Sequence, residues 1–162
     1  MTQKLDVSFN SPQCGWMSIG FSDGVNDFHT TTAHAPHEFA LPELLQILTA
    51  LVDDERQDHE YVLKWNRDPE EFDFRFIRRG ESVTIEIYQY PTMDRDTGER
   101  ELVFTYNGDA EEVCRAFSGT FAQLHADRFT DDFEINWHQP FPEDAFKRFE
   151  ARLSEKRIRS GA

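Results

Sequence analysis

The sequence predicts an α+β fold, an antiparallel meander sheet of about six or seven strands with about three helices mainly on one face. Two observations carry this. The stretch from Tyr61 to Tyr106 holds the densest alternation of apolar and polar residues in the chain. Strands also come in runs and are not interleaved one for one with helices, which disfavours a parallel βαβ fold.

The alternation is explicit. Phe72, Phe74 and Phe76 fall on one side of an extended strand, with Asp73 and Arg75 on the other. Val83, Ile85 and Ile87 repeat the pattern opposite Thr84, Glu86 and Tyr88, and Leu102, Phe104 and Tyr106 repeat it again. Period two means one face buried and one face wet.

The remaining elements follow in order. Leu5, Val7 and Phe9 read as a first strand, closed by the turn cluster Asn10-Ser11-Pro12. Met17, Ile19 and Phe21 mark a second strand, and Asp23-Gly24 a tight turn. Phe28 to Thr32 reads as a third strand, and Ala33 to Phe39 as a loop. Pro42 is expected to open the first helix, because its missing N–H costs nothing there. Leu44, Leu45, Leu48, Leu51 and Val52 then fall at helical spacing. The acids Asp53, Asp54 and Glu55 should stop or fray that helix, since its dipole disfavours anions at the C-terminal end. The polar stretch to Glu60 reads as a loop.

Tyr61, Leu63 and Trp65 open the central strands, followed by a turn at Asp68-Pro69. Arg79-Gly80 makes a short hairpin, and Pro91 to Gly98 a polar loop. Asp109 with Glu112 three residues on resembles a capping box. The helix it opens carries Val113, Phe117, Phe121 and Leu124 inward. Phe133, Ile135 and Trp137 alternate, which predicts one last extended segment. Pro142 opens a final helix with Phe146, Phe149 and Leu153 inward, its tail frayed after Ile158.

A chain of 162 residues with 15 Phe is one domain, residues 1–162, with enough apolar mass for a core. It has 31 acidic and 17 basic side chains, a net charge of -14. That charge argues against a nucleic-acid partner, whose phosphates would be repelled. It favours a basic protein, although solubility alone also explains an acidic surface. Cys14 and Cys114 form no C-x-x-C or metal-ligand spacing, so two reduced thiols are the expectation. No apolar run approaches the ~18 residues of a membrane span, and the first ten residues lack a signal-peptide layout. These features predict a soluble cytoplasmic protein with no membrane partner.

Three local patterns together resemble a known group. Trp65 precedes Pro69 and the aromatic strand through Phe72 and Phe74. Arg79-Gly80-Glu81 turns into Val83, Ile85 and Ile87, and Trp137 precedes Phe141-Pro142 and the last helix. The layout resembles small acidic bacterial proteins of unassigned function, some of them immunity-like. The resemblance covers the second two-thirds of the chain. It rests on hairpin and helix-start signals, and it carries over no catalytic residue.

Candidate chemistry is sparse. His29, His34 and His37 are the one histidine cluster in the sequence, yet their spacing fits no metal signature and polar loop histidines are the simpler account. No metal or other cofactor is expected. Glu70 and Glu71 straddle two faces of a strand, and solvated surface is the simpler reading for both. No G-x-S-x-G elbow and no phosphate-binding glycine loop occur. Cys114 on an amphipathic helix reads as a small buried hydrophobe. Helix rise places His125 ~16 Å from it, too far for a dyad. Trp16, Trp65 and Trp137 either line a ligand pocket or fill the seam between sheet and helices.

The remaining candidates concern protein binding. Tyr88 and Tyr90, opposite Ile87, are exposed aromatics if no helix covers that face. The segment from Asp109 to Glu134 is rich in acids, among them Glu111, Glu112, Asp131 and Asp132. The leading expectation is a non-enzymatic protein-binding module, an immunity-type inhibitor of a basic partner in its concrete form. The alternatives are a small-ligand binder or enzyme using a cleft between sheet and helices, and a self-associating structural subunit.

Overall fold

The computed structural model describes residues 4–53 and 58–160. Within them the chain runs β1 (Asp6–Phe9), β2 (Trp16–Ser22), β3 (Asp27–Ala33), α1 (Ala40–Val52), β4 (Asp58–Asn66), β5 (Glu71–Arg79), β6 (Ser82–Tyr90), β7 (Glu101–Asp109), α2 (Ala110–Asp127), α3 (Phe133–Trp137) and α4 (Glu143–Ser160). The fold is α+β with antiparallel sheets, as the alternation predicts.

The strands form two sheets, of three strands in the order β1-β2-β3 and of four in the order β4-β5-β6-β7. A single sheet of six or seven strands is therefore corrected. Alternation specifies which face of a strand is buried, not which strand lies beside it. Here α1 separates β3 from β4, and the two sheets meet through side chains. Phe21 of β2 sits 6.0 Å from Phe74 and 5.7 Å from Phe104, ring centre to ring centre. Phe28 of β3 meets Phe72 at 6.0 Å.

Within the larger sheet the register is continuous across β4 and β5, with Leu63 opposite Phe74 and Trp65 opposite Phe72. Phe74 faces Ile87, and Phe76 faces Ile85. A shift between Ile87 and Tyr88 then changes the pairing with β7, so that Leu102, expected inward with Phe104 and Tyr106, is corrected to the outer face opposite Tyr88. The inner face packs against the first sheet and the helices. Phe9 lies 6.1 Å from Phe117 and 5.5 Å from Phe121 of α2, and Phe76 6.0 Å from Phe117. Phe74 is buried as its alternation predicts, against Phe21 and Trp65. The outer face keeps Val62, Lys64, Leu102 and Thr105 exposed.

The helices follow their stripes, with local differences. α1 begins at Ala40, so Pro42 is its third residue and not its first. The first four N–H groups of any helix lack intrahelical acceptors, so proline is tolerated throughout that turn. At the other end the buried Arg78 guanidinium donates to the Leu51 carbonyl, which satisfies one of the last acceptors. β7 continues to Asp109, and no side-chain cap bond forms there. The Ala110 N–H instead donates to the Glu81 carbonyl at 2.8 Å, so the β5–β6 hairpin does the capping. α4 runs to Ser160, past the fraying point expected at Ile158. The loop expected before Glu60 is shortened by β4, which starts at Asp58; positions 54–57 and 161–162 lie outside the described residues.

The last extended segment is the largest local correction, because Phe133–Trp137 is a short helix. Residues four apart share a helix face as surely as residues two apart share a strand face. Phe133 and Trp137 are buried, while Ile135 between them is exposed. Asp132 and His138, at φ 49 and 71, reverse the chain at either end and leave no room for a strand. Among the described residues there are thus four helices, not three.

A candidate protein-binding groove

The start of α1, the whole of α3 and the start of α4 enclose an open groove of about 1010 Å³. Its floor is apolar, built from Leu41, Phe133, Trp137 and Phe141, all buried. Three large apolar side chains stand out into it, with Phe39 64%, Phe129 77% and Ile135 75% exposed. Such side chains are ordinarily covered when they cluster, and an uncovered apolar patch rimmed by polar groups marks an interaction surface.

Local chemistry holds this geometry in place. The Asn136 amide donates to the Asp131 and Asp132 carbonyls at 3.1 Å each, which closes the turn before α3. The Gly15 N–H donates to the Asn136 carbonyl at 2.6 Å, and Ser11 Oγ to Asp131 Oδ2 at 2.7 Å. These bonds anchor α3 to the turn between β1 and β2 and turn Ile135 the other way. Gly15 has φ 84, and a Cβ there would lie 2.7 Å from His34 Cδ2, so the close approach requires glycine. On the far side, Arg128 donates to Glu143 Oε1 at 2.7 Å and to the His125 carbonyl at 2.6 Å. Its guanidinium lies 4.3 Å over the Phe129 ring.

The rim is anionic. Glu38, Asp132, Glu134, Glu143 and Asp144 line it against Arg128 and Arg148. Arg128 is consumed by Glu143. Among the described residues, Glu38, Asp132, Glu134 and Asp144 have no ion-pair partner. The lining contains no Ser, Thr, Cys, Lys or His. Its titratable groups are the five carboxylates and two arginines, set around an apolar floor that suits recognition by apolar contact and charge.

The residues singled out in the sequence are scattered relative to this groove. Asp132 lines its rim, and Asp131 beside it is exposed but turned to Ser11. Glu111 pairs with Arg115 at 2.6 Å on α2, and Glu112 is exposed there, away from the groove. Tyr88 is half-buried on the open sheet face, with Arg100 4.0 Å over its ring and Arg75 at 5.8 Å. Tyr90 is corrected. It is 3% exposed, and its hydroxyl donates to Asp73 Oδ2 at 2.7 Å. The shift after Ile87 and the loop carrying Arg95, 5.3 Å from its ring, cover it.

The three histidines do not converge. His29 lies on β3 beside Gly20, His34 stacks on His138 with ring centres 4.3 Å apart, and His37 reaches Glu71. Among the described residues no group of three or more His, Cys, Asp or Glu is placed to hold a metal ion. His34 is held below the ordinary imidazole range, first by burial and then by the neighbouring His138.

Glu71 is not solvated surface; it is buried and held by His37, Asn66 and Arg95. Cys114 is fully buried, its thiol pushed up to about 12 by desolvation, and it donates to the Leu48 carbonyl at 3.6 Å. Trp65 and Trp137 are buried 6.3 Å apart while Trp16 is partly exposed, so the three line no common pocket.

Phe39, Phe129 and Ile135 escaped the sequence reading. The one signal was an isolated Phe129 inside the polar run from Asp127 to Asp132, since a lone apolar residue in a polar turn has no local partner. No helix among the described residues is long and apolar enough to cross a membrane. No protein-family model, no curated protein and no solved structure matches the chain.

Proposed function

We propose that this protein is a non-enzymatic protein-binding module that engages a basic partner, in the manner of an immunity-type inhibitor. The observation that carries this reading is the groove between α1, α3 and α4, apolar in its floor and anionic at its rim. A protein interface needs an apolar centre that excludes water and a polar rim that sets partner choice. The net charge of -14 adds a long-range field that speeds encounter with a cation. The enzyme and small-ligand readings need converging titratable groups in a cleft between sheet and helices. The groove is instead walled by helices and their flanking turns, with its carboxylates on the rim of an apolar floor.

Paired baits test the proposal. The wild-type chain and a Phe129→Asp/Ile135→Asp variant are immobilised side by side in extract from the source cell. The expected result is a basic protein retained by the wild type and lost by the variant. Its association rate should fall as salt rises, because the Debye length shrinks from ~10 Å at 0.1 M to ~3 Å at 1 M. Identical retention on both baits, or a rate indifferent to salt, overturns the proposal.

A further inference from the structure

We infer that the occupant of the groove is a cationic amphipathic α-helix of the partner protein; this rests on the protein-binding reading above and specifies the form of the ligand.

The first argument is backbone chemistry. Every lining residue lies between 38 and 46 or between 128 and 148, and none belongs to a strand. The groove therefore offers no strand edge to pair an extended segment. Peptide N–H and C=O groups buried there without partners would oppose binding. A helix satisfies its own backbone and presents only side chains, which is the helix-in-groove mode of recognition.

The second argument is the pattern of side chains. Phe39, Phe129 and Ile135 stand exposed over a buried apolar floor, so the occupant must present an apolar stripe. Glu38, Asp132, Glu134 and Asp144 flank that floor and Arg148 is the single opposing cation outside the Arg128–Glu143 pair. The stripe must therefore be bordered by Lys or Arg. An anionic helix or an anionic lipid surface would meet like charge.

A second copy of the chain fits less well. Its α4 carries Lys147, Arg148 and Arg152, but Phe146, Phe149 and Leu153 of that helix face its own core. It offers charge without an apolar stripe.

Synthetic peptides titrated into the full chain by calorimetry test the inference. The probe is an 18-residue Leu/Lys peptide with helical period, about five turns. Its controls are the same composition scrambled to remove that period, the same peptide with a central proline, and a Leu/Glu counterpart. The expected result is a Kd on the order of 10 µM for the probe at low salt, with a gain of peptide helicity. Ile135→Asp and Asp132→Lys/Glu134→Lys should each weaken it roughly tenfold, as truncating an interface anchor does. Glu111→Lys/Glu112→Lys, on α2 away from the groove, should leave it within about twofold. These substitutions are at exposed or half-exposed positions, and matching unfolding midpoints confirm that each variant is folded.

Equal binding of the scrambled or proline peptide, with the same loss in the groove variants, overturns the helix and leaves a groove that takes extended chain. Equal loss in the Glu111/Glu112 variant reduces the effect to diffuse acidity and overturns the inference. Absence of binding by every peptide also overturns it. A concentration-dependent dimer that dissociates on Ile135→Asp assigns the groove to a second copy instead. If the captured partner is indifferent to the groove variants, the protein-binding reading itself fails, whatever the peptides do.

Discussion

His37 Nε2 lies 2.8 Å from Glu71 Oε1, and that carboxylate is 2% exposed. A carboxylate only accepts, so Nε2 carries the proton. The same Oε1 accepts from Arg95 Nε at 2.8 Å, and Asn66 donates to Oε2. Arg95 also meets Asp73 Oδ1 at 2.5 Å and the Phe72 carbonyl at 3.1 Å. A single arginine from the loop after β6 thus neutralises two acids of β5 and pins that loop to the sheet.

Removing Arg95 should therefore be costly. Arg95→Ala leaves Glu71 buried without its guanidinium, and breaking such a pair typically costs about 3–5 kcal/mol. The Arg95 side chain is 17% exposed, so the lower end, about 3 kcal/mol, is expected. Urea unfolding measures it. A loss below about 1 kcal/mol would show that solvent replaces the arginine.

The short helix α3 makes a prediction that a strand does not. Phe133→Ala should cost about 3–5 kcal/mol, and Ile135→Ala should stay within about 0.5 kcal/mol. A strand with all three residues inward would make both costly. Denaturation midpoints of the two variants decide between them.

Cys114 and Cys14 should differ in reactivity. Cys14 is exposed and Cys114 is buried, its thiol raised to about 12. A thiol reagent at neutral pH should label Cys14 in the folded chain, and Cys114 only in denaturant. The linkage has a definite sign. Above pH 9 the unfolded thiol ionises while the folded one keeps its proton, so stability falls as pH rises from 9 toward 12. The slope from this one group is at most about 1.4 kcal/mol per pH unit. Cys114→Ala should flatten that alkaline limb; an unchanged limb assigns it to other groups.

His34 should act at the acid side. Its folded value lies below the ordinary 6.5 through burial and the adjacent His138. As pH falls below 6.5 the unfolded imidazole binds a proton that the folded one resists, so stability declines. His138→Asn removes the charge repulsion but not the burial, and should shrink the decline between pH 7 and 5. A wild-type and variant difference that is constant across that range would exclude the coupling.

Much of the fold was legible because local patterns carry it. The faces of β4 to β6, and of β7 from Phe104 onward, follow from period two, and the buried stripes of α1, α2 and α4 from helical spacing; the register shift turns Leu102 outward against that period. Cys114 was legible as a buried hydrophobe because its neighbours on α2 are apolar. Other features failed for the same reason that these succeeded. Phe133 and Trp137 share a face under either period, and the left-handed Asp132 and His138 bound the short helix that turns Ile135 outward. Asp109 has the sequence of a cap, but the Glu81 carbonyl, brought near by the sheet, takes its place.

The sequence by itself determined an acidic α+β chain with antiparallel strands, the inward faces of those strands, and the helices that cover them. Each of these depends on residues within a turn or two of one another. The tertiary structure decided that the strands divide into two sheets, that Glu71 and Tyr90 are buried, and that Phe39, Phe129 and Ile135 share one groove. Those facts join residues up to about a hundred positions apart, and no local period encodes which distant partner a side chain meets.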